Sequence, residues 1–196
     1  FLISKLVLLR RKNNSNFINE NKILIFAGGW QFRVDDLTEK HHKTLKDVYQ
    51  FKEKYYSQYS IKIVQFIKDL KKNKNKYIVG LHIRRGDYKY WENGKYFFDD
   101  ITYNDVIVNL KKQLTLKGKD PYFIGVSDSI ISKYILCDFI SDGTWKEDQI
   151  ILQNCDLIIG PPSTFSLWAS YIAKIPLIKL TSNNKISYED KFICKG

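Results

Sequence analysis

The sequence predicts an α/β protein built on a Rossmann-like parallel sheet, and three observations carry that reading. Short, continuously apolar runs such as "YIVGLHI", "PYFIGV", "DLIIG" and "PLIKL" read as strands buried on both faces. Between them lie stretches whose apolar residues recur at helical spacing. Three of the runs end in polar clusters, "HIRRGDY", "SDS" at 127–129 and "GPPSTFS" at 160–166. In open parallel sheets ligands bind at the carboxyl ends of the strands, so such punctuation along one edge describes a site.

Each element follows in order. "KILIFAGG" reads as a strand closed by a glycine turn, and Val34, Leu37, His41, Leu45 and Val48 then keep helical spacing. A second helix runs through Tyr56, Tyr59, Ile63, Phe66, Ile67 and Leu70, closed by the loop "KKNKNK". After the strand "YIVGLHI", a helix carries Tyr103, Val106, Ile107, Leu110 and Leu114 inward and stops at Gly118. "PYFIGVSD" is a strand, "SIISKYI" a short helix and "KEDQIILQNC" another helix. "DLIIG", the helix "STFSLWASYIA" and the strand "PLIKL" complete the lobe. The organisation expected is an N-terminal segment over 1–76, a strand and helices leading in, and a Rossmann-like lobe over 77–196.

Composition narrows the classes. A chain of 196 residues with 44% hydrophobic content has ample material for a core. No run approaches the roughly 18 apolar residues of a membrane span. "FLISKLVLLRR" places its basic residues after its apolar ones and lacks a small-residue cleavage site, unlike a signal peptide. The chain contains no methionine, initiator included, and a piece of a longer protein is expected. The net charge of +11 invites an anionic partner. The lysines, however, sit mostly in Lys/Asn-rich tracts that read as solvated loops rather than a nucleic-acid surface. Attraction of a phosphorylated substrate, or peripheral contact with an anionic membrane surface, remains compatible with that excess. The odd count of three cysteines, Cys137, Cys155 and Cys194, shows no metal-ligand spacing. Reduced, structural thiols in a cytoplasmic setting are expected.

The chemistry gathers at the strand ends. Alternation sends Arg84 and Arg85 to opposite sides. One guanidinium can then clamp a diphosphate while an acidic neighbour such as Asp87 holds the other. His82 reads equally as a satisfied core histidine or as a base. Ser163 or Thr164 is a natural N-cap after Pro161 and Pro162, and the helix end beyond offers free N–H groups to a phosphate. Neither a dinucleotide fingerprint nor a P-loop is present. Arginines and a helix end for two phosphates, with no carboxylate cluster for a metal, suggest a metal-independent nucleotide-sugar enzyme. Asp148 has the acceptors for a guanine N1–H and 2-amino edge, although an acid near a helix start is commonly just that. In "AGGWQFR", Trp30 and Arg33 are candidates for a sugar, against the plainer reading of Trp30 as core.

These residues resemble the α-1,2-fucosyltransferase family, within the superfamily of α-1,2-, α-1,6- and protein O-fucosyltransferases. The resemblance rests on "HIRRGDY", "SDS", the spacing of Asp148 to Cys155, and "STFSLWASY", over roughly 23–180. "GGWQFRVDDL" and "YKYWENGKYFF" also look like segments of bacterial members. The resemblance implies the donor-binding lobe of a GT-B-type glycosyltransferase. It further implies inverting transfer from GDP-fucose to a glycan hydroxyl, with no cofactor and no metal. By the same resemblance Arg84 would hold the β-phosphate, with His82 and Asp87 shaping the pocket; Arg85 and Asp128 are further candidates for binding the donor. Asp148 would bind guanine, and Ser163, Thr164 and Phe165 would line phosphate and base. Glu92 stands five positions after Asp87, where the α-1,6 branch keeps its base, so Asp87 and Glu92 are joint candidates. The family pattern Asn-Ser-Thr/Ser-Phe-Ser-Trp-Trp reads Pro-Ser-Thr-Phe-Ser-Leu-Trp here, with no asparagine. The rival readings are a transferase of another nucleotide sugar and a basic, non-catalytic anion-binding module.

Overall fold

The computed structural model describes residues 7–8, 25–26, 35–181 and 186–195. They divide into two compact units, Phe1–Gln50 with Lys195–Gly196, and Phe51–Cys194. In the first unit, strands β1 (Val7–Leu8) and β2 (Ile25–Phe26) pair in parallel. Helices α1 (Asp35–Lys40) and α2 (His42–Tyr49) follow, so the single helix expected from the spacing of Val34 to Val48 is interrupted at His41.

The second unit opens with α3 (Gln58–Lys71), whose N-cap Ser57 accepts from the Ser60 amide. Next come β3 (Lys76–Ile83), α4 (Asp100–Leu116) and β4 (Asp120–Ser127). The chain continues through the short strand β5 (Phe139–Ile140), α5 (Trp145–Leu152), β6 (Leu157–Gly160), α6 (Thr164–Ala173) and β7 (Leu177–Lys179). The unit begins at Phe51 rather than at 77, because α3 packs into it. Ile63 and Ile67 join Ile78 of β3 and Ile151 of α5 in one cluster.

All five strands run parallel in the order β5-β4-β3-β6-β7. The chain winds outward from β3 to β5, then returns to the other side of β3 for β6 and β7. This is a doubly wound, Rossmann-like sheet whose order reverses between β3 and β6. Alternation along β3 serves both faces, as continuous apolar runs require. Val79, Leu81 and Ile83 pack with Tyr103, Val106, Ile107 and Leu110 of α4. Ile78 faces α3, α5 and α6 with Ile124, Val126, Ile151 and Ala169.

Two expectations change. "SIISKYI" forms turns, not a helix. Serine side chains bind nearby backbone instead: Ser132 Oγ accepts from Tyr134 N–H at 3.2 Å, and Ser127 Oγ, at the end of β4, accepts from Ser129 N–H at 3.1 Å, which competes with helical bonding. The Asn104 side chain pins the same segment, donating to the Tyr134 carbonyl at 2.9 Å and accepting from Leu136 N–H at 2.9 Å. The strand end "PLIKL" also gains an antiparallel bridge between Leu177 and Phe192 that the periodicity does not signal.

β3 and β6 approach each other closely at their carboxyl ends. A Cβ on Gly160 would stand 2.6 Å from the His82 carbonyl oxygen and 2.9 Å from its Cβ. Backbone is the obstacle, so no side-chain rotation relieves it. Gly160→Ala is therefore expected to cost about 1–3 kcal/mol by overpacking. Urea unfolding measures this, and an unchanged midpoint would mean that the two strand ends separate without penalty.

Candidate functional site

A cavity of about 310 Å³ opens where the strand order reverses, lined by His82, Arg84, Ser127, Asp128, Trp145, Asp148 and Phe165. Its walls come from the ends of β3 and β4 and from the first turns of α5 and α6. His82, Arg84, Asp128, Asp148 and Phe165 were expected there; Ser127 and Trp145 were not.

His82 is the last residue of β3 on the α5/α6 face and is 2% exposed. Its ring lies 5.1 Å from that of Phe165. Burial, aided by the positive charge of Arg84, pulls its pKa down to about 4, although Asp128 opposes this. The imidazole is therefore neutral at physiological pH, and among the described residues its Nδ1 has no hydrogen-bond partner.

The two arginines part company. Arg85 turns toward α4, where its guanidinium pairs with Asp100 and lies 5.6 Å from the Tyr103 ring centre. It does not line the cavity. Arg84 does, with one terminal nitrogen 2.9 Å from Asp87 and its Nε 3.3 Å from Asp128, the latter an ion pair without hydrogen-bond alignment. Asp87 thus pairs with Arg84 itself, and the acid that holds the other arginine is Asp100. The sequence could not choose between them because Asp100 lies 15 positions from Arg85.

Asp128 organises this turn. Its carboxylate accepts from the backbone N–H groups of Arg85 and Gly86, each at 3.0 Å, while it pairs with Arg84. Gly86 lets the carboxylate come close, since a Cβ there would stand 2.7 Å from Asp128 Oδ2 and the carboxylate would have to shift. On the other side, the Tyr88 hydroxyl donates to the Pro162 carbonyl, tying the β3 turn to the loop before α6. Tyr88 is buried, and the Arg84 guanidinium lies 5.5 Å from its ring centre.

Asp148 occupies the first turn of α5, positioned by a capping box between Thr144 and Glu147. It is 4% exposed, and burial pushes its carboxyl up to about 6 against the Ser141 hydroxyl, which donates to it at 2.6 Å, and the Ser127 backbone. Trp145, one turn earlier, keeps 60% of its surface exposed. Its place three residues before Asp148 is the signal by which it could have been found. Gln149 ties α5 to α6, its amide donating to the Phe165 carbonyl at 2.6 Å.

Other expected residues stand apart from the cavity wall. Ser163 is the N-cap of α6 and accepts from Phe165 N–H at 3.2 Å, and Thr164 is exposed at the first helical position. Glu92 is exposed on a tight turn, where Glu92 and Asn93 adopt left-handed backbone at φ 51° and 57°, ahead of Gly94 at 76°. Trp30 and Arg33 lie outside the described residues. Cys137, Cys155 and Cys194 are free thiols. Among the described residues no group of three or more His, Cys, Asp or Glu gathers as metal ligands, and no helix is long and apolar enough to cross a membrane.

Comparison with known families then decides the kinship. The family model described as glycosyl transferase family 11 matches residues 38–195. The chain belongs to glycosyl transferase family 11. The match spans the whole of the second compact unit and every residue of the cavity, and the resemblance to the fucosyltransferase family drawn from the motifs is borne out. The chain is a glycosyltransferase-family protein. A search of curated proteins returns none that matches. Among solved structures, the chain is similar to KpsC of Thermosulfurimonas dismutans, a beta Kdo 2,7 transferase, at 13% identity and a TM-score of 0.37. That similarity covers 70% of this chain, and the chain spans 44% of the length of KpsC.

The two buried titrating groups oppose each other with pH. Asp148 holds its proton more tightly in the native state than at its ordinary 3.8, so its contribution to stability is complete below about pH 4 and is lost as pH rises toward 6. His82 holds its proton less tightly than at its ordinary 6.5, so its contribution is complete above that value and is lost as pH falls toward 4. Each amounts to about 3 kcal/mol at most. Asp148→Asn is therefore expected to raise the thermal midpoint at pH 7 and to converge with the wild type near pH 4. A variant less stable at pH 7 would mean that the ionised carboxylate is held favourably.

Proposed function

We propose that this family 11 protein transfers fucose from GDP-fucose to a hydroxyl of a glycan, with inversion and without a required metal or other cofactor. An α-1,2 linkage, in the manner of galactoside 2-α-L-fucosyltransferases, and a role in surface polysaccharide synthesis complete the reading. The protein would act in the cytoplasm, at the cytoplasmic face of the membrane where its lysine excess meets anionic lipid. One observation supports it most: a single cavity at the reversal of strand order joins a guanidinium, a buried carboxylate and two aromatic rings. That is the inventory a purine nucleoside diphosphate needs.

In this reading Arg84 lies against the β-phosphate, and Asp148 accepts from the N1–H and 2-amino group of guanine. Trp145 and Phe165 offer aromatic faces to the base, and neutral His82 offers Nδ1 to the donor. The acceptor oxygen attacks the anomeric carbon as the bond to the β-phosphate oxygen breaks, and GDP departs with the bonding electrons. Arg84 and the amino end of α6, capped by Ser163 with Thr164 beside it, stabilise the charge that builds on the phosphate. Asp87 or Glu92 takes the proton of the acceptor hydroxyl. Arg85 and Asp128 support the turn rather than meet the donor.

Two measurements test the reading. GDP should raise the melting temperature while UDP and dTDP leave it unchanged, because a carboxylate at the base edge favours two adjacent donors. A panel in which UDP protects as well as GDP would overturn the guanine assignment. Arg84→Ala is expected to lower transfer by about a hundredfold or more and to weaken GDP. Calorimetry with undiminished GDP affinity in that variant would remove Arg84 from the phosphate.

A further inference from the structure

The charge around Arg84 conflicts with the role just given to it. Its single positive charge already faces two carboxylates, Asp87 at 2.9 Å and Asp128 at 3.3 Å. Arg85, the next cation, is spent on Asp100. Among the described residues that line the cavity, Asp128 and Asp148 are acids and Arg84 is the only arginine or lysine. A diphosphate arriving at this cluster would meet a net negative charge. One carboxylate must give way.

The two acids are not equivalent. Asp128 accepts from two backbone N–H groups as well as pairing with Arg84, and its side chain is 20% exposed. Removing it would leave Arg85 and Gly86 without those bonds. Asp87 has the Arg84 ion pair, three residues away along the same turn, and its side chain is 64% exposed. Releasing it into water costs little, since an exposed pair contributes little. It also engages a terminal nitrogen of the guanidinium, the end that a phosphate oxygen would take in bidentate fashion.

We infer that Asp87 is a stand-in anion: it occupies the diphosphate-facing end of Arg84 in the free protein and is exchanged for the donor's phosphate on binding. This rests on the donor reading above and adds an order of events to it. Asp128 stays in place and keeps the guanidinium aimed. Asp87, freed by the exchange, becomes an unpaired carboxylate beside the bound donor only once that donor is present. No covalent step is involved; one ion pair replaces another on the same cation.

The consequence is a change of sign that a supporting role would not give. If Asp87 merely positions Arg84, its removal weakens phosphate binding. If Asp87 competes with the phosphate, Asp87→Asn binds GDP more tightly, by about two- to fivefold, the worth of an exposed ion pair. The test is calorimetric titration of the wild type, Asp87→Asn and Asp128→Asn with GDP, inorganic pyrophosphate and guanosine. Tighter GDP and pyrophosphate with unchanged guanosine in Asp87→Asn supports the exchange, as does weaker GDP in Asp128→Asn. Equal or weaker GDP binding by a folded Asp87→Asn, judged by its melting curve, overturns it. Should that variant fail to fold, Asp87→Glu takes its place, with the altered reach expected to change pyrophosphate and not guanosine; an unchanged pyrophosphate affinity overturns the exchange. Absence of GDP binding in the wild type and variants alike overturns the donor reading and the exchange together, whereas GDP binding without the Asp87 effect removes the exchange alone.

Discussion

The carboxylate of Asp128 is the constraint on which the arginine turn depends. It reaches from the end of β4 to the end of β3 and accepts from two successive amides, at Arg85 and Gly86. Charge-assisted bonds of this kind are the strong ones, and both are lost together if this carboxylate is removed. The turn they fix is what separates the two guanidinium groups. Arg85 goes to Asp100 and Tyr103 on one face of the sheet, and Arg84 to the cavity on the other. The glycine of the turn suits the same carboxylate, which any Cβ there would push aside.

The sheet supplies the second constraint. Parallel strands joined by helices bring residues far apart in sequence to one edge, and the reversal between β3 and β6 opens that edge. Tyr88 then bridges the gap from the β3 turn to Pro162 before α6. The cavity therefore has walls held to one another by polar bonds, while the layers beneath it are apolar. That division explains the pKa values of its two buried groups. His82 and Asp148 sit at the boundary of the apolar layers, where each is driven toward its neutral form.

The fold was legible because buried parallel strands announce themselves as unbroken apolar runs. The strand ends of β3, β4 and β6 could be placed from sequence, and with them His82, Arg84, Asp128, Asp148 and Phe165. What could not be read was pairing. The partner of Arg85 lies on another element, and that of Tyr88 lies 74 positions away. "SIISKYI" misled because apolar spacing ignores serine side chains that bind nearby backbone, as Ser132 does with Tyr134 N–H. Glu92 was reached by counting five positions from Asp87, but a count along the chain says nothing about which way a tight turn points its residues.

That turn limits more than geometry. Glu92, Asn93 and Gly94 all carry positive φ, a run that L-residues other than asparagine and glycine enter only at a cost. Residue choice at position 92 is thus filtered by the backbone before chemistry is considered. β-Branched side chains are shut out there, and asparagine and glycine are the replacements that leave the turn's path intact. Between the arginine turn and α4, these three positions can drift in sequence only along that narrow, left-handed alphabet.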